Sequence, residues 1–237
     1  MISAPPRRRT AAILLGIWIV LALLGWGIGA TIVAAGSRFD GGVVNALRAT
    51  PHTTVLSLAR DATFLGSPLW LNIVFFVVIA LLLALRRFRS ALFLVLASPV
   101  TVALHAVIVR LVDRARPLGP HLTPASGASF PSGHSMDSTG LYVGLVLILL
   151  GVLRPAPVGP PTAGRPRSPL GRGLLALVLV LLLAIGVSRV VLGVHYPSDV
   201  LIGWLISGTW LASLTHFAGG LTDSAPVRPV STPGDPT

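Results

Sequence analysis

Residues 173–199, "GLLALVLVLLLAIGVSRVVLGVHYPSD", give the clearest indication of the fold class of this chain. Its first fifteen residues, 173–187, carry neither a charge nor a strongly hydrogen-bonding side chain. Together with residues 188–192 they make a segment of the ~20 residues that a helix needs to cross a bilayer. The polar side chains of Ser188, Arg189, His195 and Asp199 follow these fifteen apolar residues, and the chain then turns apolar again. The stretch therefore predicts a membrane-spanning helix that ends in a polar group.

Similar apolar runs recur along the whole chain. Of its 237 residues 53% are hydrophobic and 11% are charged, against roughly 25% charged residues in soluble domains. The first run is longer than the ~7–15 apolar residues of a signal peptide, and it predicts an uncleaved anchor. We expect an all-α polytopic membrane bundle of about six transmembrane helices, over 11–35, 68–85, 91–112, 135–153, 173–192 and 198–218.

The charged residues are distributed as membrane topology requires. All 18 basic residues are arginine, and clusters at 7–9, 86–89 and 154–172 fall on one side of alternating spans. That side is expected to be cytoplasmic, which places both termini in the cytoplasm. The net charge of +11 does not indicate a nucleic-acid partner, because the arginines lie in short clusters between apolar runs and no basic soluble surface remains. We expect an integral protein of the plasma membrane, in contact with the lipid bilayer.

The predicted domains follow from this topology. Residues 1–10 form a cytoplasmic N-terminus, 11–218 a six-span membrane domain, and 219–237 a disordered cytoplasmic tail. Residues 36–67 form an extracytoplasmic loop. Within it, apolar residues at helical spacing over 55–65 indicate a helix on the membrane surface or a plain ordered loop. The absence of cysteine excludes disulfides and thiolate metal sites.

Three polar clusters emerge on the outer side of the predicted bundle. The first, "RLVDRARP" at residues 110–117, follows the third span. Its arginines either snorkel to lipid phosphates or bind an anionic ligand. Because outer arginines violate the charge bias of the other loops, an anionic ligand is an economical reason for the arginines there. These are Arg110, Arg114, Arg116 and Arg189.

The second cluster, "SFPSGHSMD" at residues 129–137, opens the fourth span. Ser132 is suited to an N-cap, and Gly133 lets the backbone approach a ligand closely. The free N–H groups of a first helical turn attract an anion. His134 stands in that turn, although a lone histidine there more often hydrogen-bonds to the backbone.

The third cluster is the polar group within residues 188–199. Pro197 indicates the start of the sixth span, so Asp199 falls in its first turn, four residues after His195. A carboxylate bonded to one imidazole nitrogen leaves the other nitrogen unprotonated and nucleophilic. Arginines, a helix start and two histidines on one side of the bundle are the parts for phosphoryl transfer. One histidine would attack phosphorus, and the other would protonate the leaving oxygen.

These residues resemble the motifs of the type 2 phosphatidic acid phosphatase family, which shares its site with vanadium haloperoxidases. Pro-Ser-Gly-His at 131–134 matches the second family motif, and the Ser-Arg, His and Asp of 188–199 match the third. The first motif is Lys, six residues and Arg-Pro. Arg116 and the following proline match it, but Val109 occupies the lysine position and Arg110 follows.

The resemblance, over about residues 60–218, implies a metal-independent phosphatase that needs no cofactor. The seven carboxylates are scattered aspartates, which agrees with a site that holds no metal. The substrate would be a membrane lipid phosphate or pyrophosphate, such as undecaprenyl pyrophosphate, phosphatidic acid or phosphatidylglycerol phosphate, processed at the outer face. The implied nucleophile, orienting carboxylate and general acid are His195, Asp199 and His134. The implied phosphate-binding residues are Arg116, Arg189, Ser132, Gly133 and, in place of the lysine, Arg110.

Other interpretations stay open from the residues alone. Val109 favours a non-catalytic lipid-phosphate binder or transporter, whereas the His195–Asp199 pair favours an enzyme. A phosphotransferase would pass the phosphoryl group to a second lipid or sugar. His105, inside the third span, is interpreted as a structural residue. Asp137 is either a helix-start charge, a partner of the nearby histidine, or a partner of an arginine.

Overall fold

The computed structural model describes residues 6–35, 38–48, 53–151 and 169–222, and most of them are helical. The helices are α1 (Pro6–Ala35), α2 (Arg38–Arg48), α3 (Thr53–Leu65), α4 (Pro68–Ala84), α5 (Phe88–Ala97), α6 (Pro99–Val112), α7 (Gly133–Ser138), α8 (Gly144–Leu149), α9 (Pro169–Val191) and α10 (Pro197–Thr222). A π-helical turn, Thr139–Val143, joins α7 to α8. Of the predicted tail, residues 223–237 lie outside the described residues, and α10 continues four residues beyond the predicted boundary at 218.

Four helical stretches are long and apolar enough to cross a membrane: Arg8–Ala35, Phe88–Val112, Pro169–Val191 and Pro197–Phe217. A fifth results if α3 and α4, which are bent by 42° against each other, form one broken span. The predicted second and fourth spans correspond to α4 and to residues 133–149, which are shorter, at 17 residues each. The predicted all-α membrane bundle is confirmed, with four or five helices of spanning length in the described part of the chain.

The core of the bundle lies between α1, α6, α7 and α10. At the break between α5 and α6, Pro99 offers no backbone N–H. Nearby, Trp210 Nε1 of α10 donates to the carbonyl oxygen of Leu96 in α5 at 2.9 Å, which links α10 to α5 beside the break. Large apolar side chains such as Leu15 and Phe76 are exposed on the outside, where lipid would cover them. The fully buried apolar side chains of this core include Leu104, Ile108, Phe130, Met136 and Leu214.

Helix α3 lies where the sequence indicates a helix on the membrane surface. One side exposes Val55 and Leu58, and the other side packs against α9 and the residues that follow it. There Ala59 is buried next to Leu192. Because its inner side belongs to the bundle, α3 can position side chains of α9.

The segment between α6 and α7 crosses one end of the bundle without regular structure. Helix α6 ends at Asp113, which adopts the left-handed conformation with φ 45°, a conformation that aspartate tolerates better than most residues. Further on, the Ser129 amide donates to the carbonyl oxygen of Arg114 at 2.7 Å. This turn brings the first polar cluster over the starts of α7 and α10.

Candidate active site

A cavity of about 530 Å³ lies where the three polar clusters meet. His105 of α6 and Asp137 of α7 line this cavity, although their sequence positions alone do not place them in the predicted site. Ser132 and Asp199 are fully buried and do not line the cavity. From the predicted set, the cavity wall contains Arg110, Arg116, Gly133, His134, Arg189 and His195.

The imidazole of His195 is held in one orientation. Its Nδ1 lies 2.7 Å from the carbonyl oxygen of Ser129 and 3.5 Å from Oδ2 of Asp199. Because a carbonyl oxygen only accepts, Nδ1 carries the proton and Nε2 retains its lone pair. Burial lowers the pKa of His195 below the ordinary value of 6.5, although Asp199 opposes this shift. The ring is therefore neutral at physiological pH, with a basic nitrogen that faces the cavity.

The Asp199 carboxylate is fixed from two sides. Its Oδ2 accepts from the Tyr196 amide at 2.8 Å, and its Oδ1 accepts from Arg114 Nη1 at 2.6 Å. Nη2 of Arg114 donates to Asp40 Oδ2 of α2 at 2.7 Å. Burial raises the pKa of Asp40, but hydrogen bonds from Ser198 and Arg114 outweigh it and hold that pKa below its ordinary value. A buried chain of charges thus connects α2 to the carboxylate beside His195.

Arg116 is held mostly by backbone carbonyl groups. Its Nη1 also lies 3.3 Å from Nε2 of His195, so an arginine N–H faces the lone pair of the imidazole. Burial lowers the pKa of Arg116, whereas Asp199 raises it. The rigid guanidinium is thereby placed directly beside His195. Its carbonyl acceptors belong to Val194 at 2.7 Å, Ser126 at 2.8 Å, Gly127 at 3.0 Å and Ala128 at 3.2 Å.

Arg189 reaches the cavity from the last turn of α9. Its Nη1 donates to Oγ1 of Thr63 on α3 at 2.7 Å. Its Nε is buried and donates to no acceptor among the described residues. A buried guanidinium N–H without a partner favours an anionic ligand in the cavity.

The start of α7 contributes differently from the sequence-based expectation. Ser132 occupies the N-cap position, but its side chain makes no capping hydrogen bond. Its amide donates to the carbonyl oxygen of Asp199 at 3.0 Å, which joins α7 to α10. Gly133 packs against His105: a Cβ at this position would lie 2.7 Å from Cε1 of that ring. The absence of a Cβ therefore allows α7 to approach the His105 ring of α6 closely.

The lysine position of the first motif lies on the cavity wall. Val109 is partly buried there, and the exposed Arg110 lines the same cavity. Although the two residues are separated by ~100° around the helix, both reach the cavity near the end of α6. Arg110 is thus placed where it could supply the missing positive charge.

The sequence left three contributors unassigned. The carbonyl of Ser129 has no sequence signature, because every residue carries this group. Arg114 was expected to meet an anionic ligand with the other outer arginines, and the structure corrects this: its guanidinium turns away from the cavity and pairs with the buried carboxylates of Asp40 and Asp199. Asp40 precedes Arg114 by 74 residues, so their contact has no local sequence pattern. Its place in the predicted outer loop, residues 36–67, is the signal that could have indicated it.

Comparison with known proteins identifies the family of this chain. Residues 115–223 match the family model of the PAP2 superfamily. A decaprenylphosphoryl-5-phosphoribose phosphatase of Mycobacterium tuberculosis is 30% identical over 174 residues, which cover 70% of this chain and 82% of that protein. Phosphatidylglycerophosphatase B of Bacillus subtilis is 29% identical over 119 residues, 50% of this chain and 53% of that protein.

A solved structure shares the fold. The crystal structure of a transmembrane PAP2 type phosphatidylglycerolphosphate phosphatase from Bacillus subtilis matches with a TM-score of 0.65 at 23% identity, over 86% of this chain and 94% of that chain. The family match at 115–223 includes the second and third polar clusters. This chain therefore belongs to the PAP2 superfamily, and it is an integral membrane phosphatase of lipid phosphates.

Proposed function

We propose that the enzyme cleaves a lipid phosphate or pyrophosphate through a phosphohistidine intermediate on His195, without a metal ion. The observation that carries this proposal is the 2.7 Å contact between His195 Nδ1 and the Ser129 carbonyl oxygen. This contact assigns the proton to Nδ1 and leaves the Nε2 lone pair facing the cavity. A residue needed only for binding phosphate would gain nothing from an unprotonated nitrogen there.

Substrate binding would use the arginines of the cavity. Nε of Arg189, which has no acceptor in the part of the chain that the structure describes, would donate to one phosphate oxygen. A second phosphate oxygen would accept a hydrogen bond from the Arg116 N–H that faces Nε2 of His195 in the structure. This exchange would free the lone pair of His195 at the moment when phosphorus arrives beside it. Gly133 and Arg110 line the same cavity, and Ser132 would contribute by fixing the turn before α7.

In the first chemical step, Nε2 of His195 attacks phosphorus in line with the leaving oxygen. The N–P bond forms as the bond to the leaving oxygen breaks, and His134 supplies the proton that this oxygen requires. The phosphorylated imidazole still carries its Nδ1 proton and is a cation. The Ser129 carbonyl and the Asp199 carboxylate would stabilise that cation.

In the second step, His134 accepts a proton from water as the water oxygen attacks phosphorus. The N–P bond breaks and returns the electron pair to Nε2, so inorganic phosphate leaves and His195 is neutral again. A phosphotransferase would use the same intermediate with a lipid or sugar hydroxyl in place of water. Both reactions are consistent with a cavity that is open to ligands larger than phosphate.

The site is proposed to lie at the outer face of the plasma membrane, with both termini in the cytoplasm. The arginine clusters at 7–9 and 86–89 support this orientation, because short cytoplasmic loops carry the excess of basic residues. The lipid chain of the substrate would remain in the bilayer while its headgroup enters the cavity. Decaprenylphosphoryl-5-phosphoribose, phosphatidylglycerophosphate, phosphatidic acid and undecaprenyl pyrophosphate are therefore the substrates to compare.

Release of inorganic phosphate from these four lipids in detergent, with EDTA present, tests the proposal. Wild type is expected to hydrolyse at least one of them, and His195→Ala to lower kcat by about 10³-fold or more. A phosphorylated peptide that contains His195 should be recovered after rapid acid-free quenching of the reaction. His121→Ala is the matched control, because His121 lies in the same irregular segment but does not line the cavity.

The competing function is a lipid-phosphate binder or transporter, which Val109 at the lysine position favours. Such a protein would bind the lipids but release phosphate from none of them. Unchanged release after His195→Ala would overturn the phosphohistidine mechanism even if the protein is a phosphatase.

A further inference from the structure

One carboxyl oxygen in the cavity has no role in the mechanism above. Asp137 of α7 lines the cavity, and its Oδ1 is buried without a hydrogen-bond donor among the described residues. A buried acceptor without a donor costs free energy, and a ligand that donates to it removes this cost. We propose that Asp137 accepts a hydrogen bond from a hydroxyl of the substrate's leaving group, and so selects lipid phosphates with a polyol headgroup.

The position of Asp137 relates it to the leaving group. Asp137 follows His134 by three residues, so their Cβ atoms lie about 5–6 Å apart on one face of the helix. His134 is the group that would protonate the leaving oxygen, an assignment that rests on the proposed function. A hydroxyl that meets Asp137 would therefore lie within two carbons of the ester carbon. Glycerol and pentose phosphates carry such a hydroxyl, whereas phosphatidic acid and prenyl phosphates do not.

The charges of the cavity favour a neutral donor. Arg110, Arg116 and Arg189 line the same space, so an ammonium headgroup would meet three guanidinium groups. A resident metal ion is not favoured either, since the described residues bring no three His, Cys, Asp or Glu side chains together as ligands. A hydroxyl satisfies the oxygen whether the carboxyl group is ionised or protonated, because one oxygen accepts in both states.

Binding to catalytically inactive protein tests this selection. The probes are phosphatidylglycerophosphate and its analogue that lacks the central hydroxyl of the terminal glycerol, each titrated into His195→Ala protein in detergent. We expect the hydroxylated lipid to bind about tenfold tighter. Adding Asp137→Ala should reduce this ratio to about one, whereas Asp137→Asn, which keeps an acceptor oxygen, should retain part of it. Decaprenylphosphoryl-5-phosphoribose and its 3-deoxy analogue form a second pair.

The matched control is Asp113→Asn in the same background. Asp113 is an exposed carboxylate on the same cavity, and asparagine tolerates its left-handed backbone, so the ratio should not change. Tighter binding of the hydroxylated lipid in the phosphatidylglycerophosphate pair identifies a glycerol headgroup as the source of the hydroxyl. The same result in the decaprenylphosphoryl-5-phosphoribose pair identifies a pentose. Equal binding within both pairs, or a preference that survives Asp137→Ala, overturns the inference. Failure of wild type to release phosphate would overturn the proposed function alone, because the binding ratio needs no catalysis.

Discussion

Arg114 donates to the buried carboxylate of Asp199 at 2.6 Å, and it does so from two residues before the cavity arginine Arg116. The same guanidinium donates to Asp40 at 2.7 Å and lies 4.0 Å above the ring of Tyr196. It also donates to Oγ of Ser198 at 2.8 Å. These contacts join α2, the irregular segment after α6 and the start of α10. This buried charge network holds the Asp199 carboxylate 3.5 Å from Nδ1 of His195.

Removal of Arg114 is expected to destabilise the protein and to reduce activity. Arg114→Ala leaves two fully buried carboxylates without their cation, and breaking a buried ion pair costs about 3–5 kcal/mol. Thermal unfolding in detergent should show a large fall in Tm, and kcat should fall by about tenfold or more at temperatures where the variant is folded. Arg38→Ala, at an exposed position of α2, should change neither quantity. A variant as stable and as active as wild type would show that the network is dispensable.

The contribution of Asp40 to stability is expected to depend on pH. Its folded-state pKa lies below the ordinary value of 3.8, so the stabilisation is complete above that pH and is lost as the pH falls through the lower folded-state value. The difference in unfolding free energy between wild type and Asp40→Asn should therefore be constant from neutral pH to about 5 and should shrink below 3.8. Unfolding of both proteins by denaturant at a series of pH values measures this difference in free energy. A difference that grows on acidification would contradict the assignment.

Arg110 is expected to replace the lysine of the first motif. Arg110→Ala should raise KM or lower kcat for the lipid substrate by about tenfold, because a charged hydrogen bond to phosphate is lost. Arg60→Ala, at an exposed site on α3, is the control for the loss of one surface charge. If Val109→Lys accelerates the enzyme while Arg110→Ala has no effect, Arg110 does not serve as the substitute.

Thr63 is expected to act as a positioning residue for Arg189. Thr63→Val keeps the shape of the side chain but removes the oxygen that accepts from Arg189 Nη1 at 2.7 Å. We expect KM to rise about tenfold with a smaller change in kcat, since a bond to a charged donor is lost outside the reacting atoms. Thr63→Ser should restore KM, because it returns the acceptor. Equal KM values for the valine and serine variants would contradict this role and would indicate a purely structural effect.

Much of the architecture follows from local sequence. Apolar runs and arginine clusters indicate membrane spans because lipid requires ~20 apolar residues per helix and each run is contiguous in the chain. The predicted number of about six spans exceeds the four or five helices of spanning length among the described residues, since α4 and residues 133–149 are shorter than the other spans. The motif residues of the second and third clusters could also be identified, because each motif lies within a dozen residues.

The fold class, the family resemblance and the residues expected to carry the chemistry can thus be read from the amino-acid sequence. That Arg116 faces His195 whereas Arg114 faces Asp40 and Asp199 follows from the packing of the helices and cannot be read from the sequence. In an irregular segment no period fixes side-chain direction, so contacts with distant helices set it. The same reason applies to the Ser129 carbonyl and to the cavity positions of His105 and Asp137, which depend on how α6, α7 and α10 pack together.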